Sequence, residues 1–303
     1  MGKAERNRQQ NARQRIAMQQ AAAKRAEARR RVLIASGSAI AVIAIVVALV
    51  VVKALSHHPA SAAAVKSSTA TSNNAIVSQI TALPATELDK VGPGPSGAAA
   101  VAPLKSITGP ALTSNGKPEM LYIGAEFCPF CAAERWSMVV ALSRFGTFSN
   151  LHFIHSTPND IYSNTSTLTF YKSSYTSKYL SFVPLETETV AEKPLQKIST
   201  AQSALLTKYT QGSFPFVDID GKYIVDGAQF APSVLGTVQA QNPAHQGLSW
   251  QQISTDLQKP NNVVAQSIIG AANHITAAIC QVTGGQPSTV CKSTSVTSVN
   301  GSI

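Results

Sequence analysis

Val32 to Val52 is a run of 21 residues without a charge, and no other stretch constrains the architecture of this chain so sharply. At about 1.5 Å per residue, about 20 apolar residues cross a hydrocarbon core of about 30 Å, and a helix satisfies every backbone group on the way. Residues 32–53 are therefore expected to form one transmembrane helix. The two flanks differ in charge. Residues 1–31 carry ten Lys or Arg and two Asp or Glu, with Arg29, Arg30 and Arg31 at the boundary. An excess of basic residues marks the cytoplasmic side, so the leader is placed inside and everything after the helix outside, as a single-pass protein of the cell membrane. Ala60-Ser61-Ala62 has the small-x-small form of a cleavage site, which leaves a cleaved signal peptide as the alternative. The apolar run exceeds the roughly 7–15 residues of an ordinary signal core, and this favours an uncleaved anchor.

The charge distribution also excludes a function class. Of a formal net charge of +10, residues 1–31 hold +8 and the rest of the chain +2. A domain so close to neutrality lacks the basic face of a nucleic-acid binder, and the leader has no aromatic residue on which a base could stack. The leader reads instead as a solvated segment that touches anionic lipid head groups. Residues 54–104 are rich in Ala, Ser, Thr, Pro and Gly and read as a flexible linker, because such a segment buries too little apolar surface to order itself. A domain over 105–292 and a tail over 293–303 complete the organisation.

Within the domain, MLYIGA reads as a buried strand and 132–145 as a helix stopped by Gly146. LHFIHS (151–156) reads as a second strand, and TLTFYK and YLSFVPLE as short strands or ordered loop. A helix is expected over 194–209. FPFVDI and KYIVDG flank Asp220-Gly221, a strong hairpin signal. Further helices are expected over 233–240, 249–257 and 263–280. This order gives an α/β fold with a mixed sheet flanked by helices.

The chemistry sits at Cys128-Pro129-Phe130-Cys131, where a strand ends and a helix begins. Backbone N–H groups at a helix N-terminus favour an anion, and the thiolate is the nucleophile of disulfide exchange. A spacing of three around the first helical turn lets Cys131 attack a mixed disulfide on Cys128 and release the substrate. Pro129 suits the first helical position, and Phe130 brings no positive charge between the sulfurs. Arg135 would add a favourable field. Glu126 and Glu134 would oppose thiolate formation or accept protons. Alternatives for the pair are a permanent structural disulfide, half a zinc site that lacks a second ligand pair, and copper capture. The exchange reading calls for no metal and no organic cofactor, since the two sulfurs carry the electrons. Cys280 and Cys291 flank QVTGGQPSTV, whose Gly284, Gly285 and Pro287 let the chain double back, and a structural disulfide closing that loop is expected, with a second redox pair that relays electrons to Cys128 as the alternative.

Ala125 to Cys131 resembles the active-site junction of the thioredoxin-like superfamily, and Phe214-Pro215-Phe216-Val217 resembles its second signature. That resemblance implies a cis peptide bond before Pro215, facing the cysteine pair, with the backbone of Phe214 and the residues Pro215, Pro129 and Phe130 contacting an extended substrate. More closely, residues 123–151 and 279–291 are similar to an actinobacterial and archaeal family called domain of unknown function 929, over about 105–292. That likeness implies a thioredoxin-like fold and brings no substrate. The chain departs from thioredoxins at Tyr122, where many carry a buried acid, and at Pro129-Phe130, so the redox direction stays open. Combined with the membrane segment, the reading is an anchored extracytoplasmic thiol–disulfide oxidoreductase. It would act on the thiols and disulfides of exported proteins and be reset by a membrane redox partner. The alternative is a non-catalytic binding module of the cell envelope with an inert Cys128–Cys131 bond.

Overall fold

A computed structural model of the chain describes residues 73–97, 100–237 and 244–299. The basic leader, the apolar run 32–52 and the linker up to residue 72 lie outside the described residues. Two helices come first, α1 (73–81) and α2 (Ala85–Val91). Three strands follow, β1 (Lys105–Ser106), β2 (Thr113–Ser114) and β3 (Lys117–Gly124), and then the helix α3 (Pro129–Ser143). Next are β4 (Gly146–Ser149), β5 (His152–His155), β6 (Ser166–Thr169), β7 (Ser174–Ser177) and β8 (Ser181–Glu186). The chain closes with α4 (Thr200–Thr210), β9 (Phe216–Ile219), β10 (Tyr223–Asp226), α5 (Trp250–Asp256), α6 (Val263–Val282), α7 (Ser288–Cys291) and α8 (Thr294–Thr297).

β3 is the centre of a mixed sheet. It pairs in parallel with β8 and antiparallel with β9, which continues through β10 to β1 at the edge. Its side chains alternate between two cores, as the period of a strand requires. Met120 and Tyr122 join the larger core built with α3 and α6, whereas Leu121 and Ile123 join Leu206 of α4 on the other face. The sheet is thus covered on both sides, which explains why β3 reads as an unbroken apolar run. Asp220 and Gly221 both take positive φ, and β9 and β10 form the expected hairpin around them.

Several expectations are corrected. The 151–156 segment does form a strand, but β5 pairs only with β6 in a separate ribbon, and the parallel partner of β3 is β8. α3 begins at Pro129, because Cys128 is its N-cap. α4 begins at Thr200 rather than 194, where Ser199 and Gln202 form a reciprocal capping box. The 233–240 helix is a short 3-10 turn over Pro232–Leu235 that ends at Gly236, and residues 238–240 lie outside the described residues.

The linker and tail are also revised. Ile76, Ile80 and Leu88 are buried, and Ile76 and Ile80 stand one turn apart on one face of α1. Asn273 of α6 donates to Leu88 O and Gly92 O, and a side chain on Gly270 would collide with the backbone of Gly94. In the tail, Val296 and Val299 are buried and Ser295 N–H donates to Asp89. Among the described residues, α6 is long and apolar enough to cross a membrane, yet it lies almost wholly inside this core.

Candidate functional site

β3 delivers the chain to Ala125, and a short turn carries it to Cys128 at the head of α3. Cys128 takes an extended conformation (φ −75°, ψ 121°), and its sulfur accepts a hydrogen bond from Cys131 N–H at 3.2 Å. A sulfur thus fills the capping role that a serine or aspartate oxygen usually fills. Both cysteines are free thiols. Both are buried, Cys128 retaining 7% exposure and Cys131 none.

Their acidities diverge. Hydrogen bonding with Cys131 lowers the Cys128 thiol, aided by backbone N–H groups and the Arg135 charge and opposed by burial. Burial pushes the Cys131 thiol well up, and the hydrogen bond it gives Cys128 pushes it further. The exposed-side sulfur is therefore the more acidic of the two.

Phe214 and Phe127 pack against the two cysteines, and the Phe214–Pro215 peptide bond is cis. The register of β3 on β9 pairs Ile123 with Phe216, which puts Phe214–Pro215 and the cysteine pair at the same end of two adjacent strands. Pro129 is buried beneath the turn. Phe130 is one of the few large apolar side chains left exposed, and its ring meets Tyr162 edge-on with centroids 5.7 Å apart. Cys128, Cys131, Pro129 and Phe214 thus come together, with Phe130 at the rim.

The charged surroundings differ from the sequence reading. Glu126 accepts a hydrogen bond from the Thr169 hydroxyl at 2.8 Å. Glu134 turns to Gln229, whose N–H it accepts at 2.9 Å, and burial raises its carboxyl to about 7. The group that acts on the sulfurs is Arg135. It is fully buried and donates to both oxygens of Glu186, at 2.8 and 2.7 Å, and to Ala125 O at 2.7 Å. Such a bidentate pair fixes the guanidinium plane. Its carbon sits 5.9 Å from the centre of the Tyr122 ring. Glu186 was not singled out from the sequence. Its only signal is an acid ending the apolar run YLSFVPLE, 51 residues from its partner.

Cys280 and Cys291 form the expected disulfide, with Cα atoms 5.5 Å apart. Gly284 and Gly285 between them take positive φ. Among the described residues, no group of three or more His, Cys, Asp or Glu is placed to hold a metal ion.

Residues 104–281, more than half of the chain, match the family model described as Domain of unknown function (DUF929), and the chain belongs to that family. No curated protein and no solved structure matches it.

Proposed function

We propose that this DUF929 member is a thiol–disulfide oxidoreductase of thioredoxin-like fold, held at the membrane by residues 32–53 and acting outside the cytoplasm on exported proteins. The observation that carries this reading is the asymmetry of the pair: Cys128 caps a helix N-terminus with some exposure and a lowered thiol, over a fully buried Cys131 whose thiol is pushed up. A structural disulfide needs no such division. Supporting it, the β3–α3–β8 unit and the β9–β10 hairpin meet edge to edge, with the cysteines and Phe214–Pro215 at one end.

In the reducing direction the Cys128 thiolate attacks a substrate disulfide, and one substrate sulfur leaves and takes up a proton. Cys131 then attacks Cys128 in the mixed disulfide. The Cys128–Cys131 bond forms, the second substrate sulfur leaves with the Cys131 proton, and two electrons have passed to the substrate. The reverse sequence delivers a disulfide. Phe214 and Pro215 border the path of the substrate chain, and Phe130 offers it an apolar contact. A membrane redox partner that exchanges with the pair completes turnover and sets the direction.

The test is capture. In the full chain, Cys131→Ser should accumulate mixed disulfides between Cys128 and exported proteins, released by dithiothreitol. Thiol trapping across graded glutathione ratios should place the pair above about −300 mV. A pair that stays oxidised below that value, with no captured substrate, would instead be the inert bond of a binding module.

A further inference from the structure

Two buried donors beside Cys131 have no partner: the Tyr122 hydroxyl and Arg135 Nη1. Both residues are fully buried. Buried polar groups are ordinarily paired, and orphans near reactive groups call for an explanation. Arg135 stands four residues after Cys131 on α3, which puts both on one face of the helix. Tyr122 is brought in by Gly124. A side chain at Gly124 would collide with the Tyr122 hydroxyl and stand 3.1 Å from Cys131 Sγ, so hydroxyl and sulfur both border the place that the absent Cβ leaves. The rest of Arg135 is committed to Glu186 and Ala125. Nη1 is what remains of it.

We propose that Tyr122 Oη and Arg135 Nη1 form a thiolate hole, in which these two positioning residues receive the Cys131 sulfur as it ionises to attack the mixed disulfide. The inference rests on the exchange reading above. During that attack the Cys131 proton goes to the departing substrate sulfur, the sulfur's electron pair makes the Cys128–Cys131 bond, and the bond from Cys128 to substrate breaks. Tyr122 and Arg135 keep their protons throughout. Burial holds Tyr122 as the neutral phenol, which is the form that donates. Preorganised donors aimed at developing charge need no rearrangement when it appears. The titratable groups around Cys131 are Cys128 and Arg135 from α3, Tyr122 from β3 and Glu186 from β8.

Dithiobis-nitrobenzoate separates the steps with the reduced full-length protein. Attack by Cys128 releases one coloured thiolate, and attack by Cys131 releases the second. Tyr122→Phe keeps the ring and removes only an unpaired hydroxyl, so thermal stability should be unchanged or raised. The first release should stay within about twofold of wild type. The second should slow about tenfold, with its pH profile displaced upward by about one unit, as expected for a lost hydrogen bond to a charged sulfur. An unchanged second phase, or equal slowing of both, overturns the proposal. A second readout needs no exchange: in Cys128→Ser protein, the ultraviolet thiolate band of Cys131 should appear about one pH unit higher when Tyr122→Phe is added, and an unmoved band refutes the proposal. A wild-type protein that releases neither thiolate while the band still shifts would sink the exchange reading and leave the contact standing.

Discussion

Cys128 and Cys131 occupy the first turn of α3, whereas Cys280 lies in the last turn of α6 and Cys291 in the short helix that follows. At the head of a helix, unpaired N–H groups welcome a negative sulfur. At its tail, unpaired carbonyls repel one. The first pair consists of free thiols pressed against a buried cation, and the second is a closed bond beside a loop of small, turn-forming residues. The contrast teaches that the spacing of two cysteines says less about their chemistry than which end of a helix they stand on.

The most drastic way to break the comparison is to exchange serine for one cysteine of each pair. Cys128→Ser should abolish disulfide exchange, measured by insulin reduction with dithiothreitol, while Cys280→Ser leaves that rate within about twofold; loss of exchange in Cys280→Ser would mean that the second pair relays electrons. Stability should respond the other way round. The bond joins residues 11 apart in sequence, and removing it should cost about 2–3 kcal/mol in urea unfolding.

A smaller effect separates Arg135 from its neighbour Glu134. The Glu134 carboxyl titrates near 7 in the folded chain, above its ordinary 4.5. The neutral form therefore contributes stability in full below 4.5 and loses that contribution as pH rises through about 7. Glu134→Gln should flatten the stability profile over that window and stabilise by about 3 kcal/mol at about pH 8, without altering exchange. A pH profile like that of wild type would show that the carboxyl is not buried neutral. Smallest is Ser199→Ala at the cap of α4, which should lower stability by about 1 kcal/mol in the same unfolding assay and leave both cysteine pairs as they were.

What could be read from the sequence was local. The strand-to-helix turn at Cys128 and the hairpin at Asp220-Gly221 are written in neighbouring residues, and both formed where expected. Pairing over distance was not written there. LHFIHS and YLSFVPLE look equally strand-like, and nothing in their pattern says that the second, not the first, lies beside β3. The linker misled through composition: its Ala and Ser hid Ile76, Ile80 and Leu88, all of them buried, and the end of α2 packs on the small residues of α6. The Arg135–Glu186 pair was half legible, because one partner stood next to the motif and the other came from a distant strand.

Asn273 has a practical consequence for anyone shortening this chain. It fastens the end of α2 to α6, and Arg144 reaches it from the end of α3 while also holding Ser293. A fragment cut to the family boundaries, 104–281, would keep Cys280 but discard Cys291, and would strip the helices that shield one side of α6. Homology and packing part company here: the stretch that the family model matches is shorter than the stretch packed around α6.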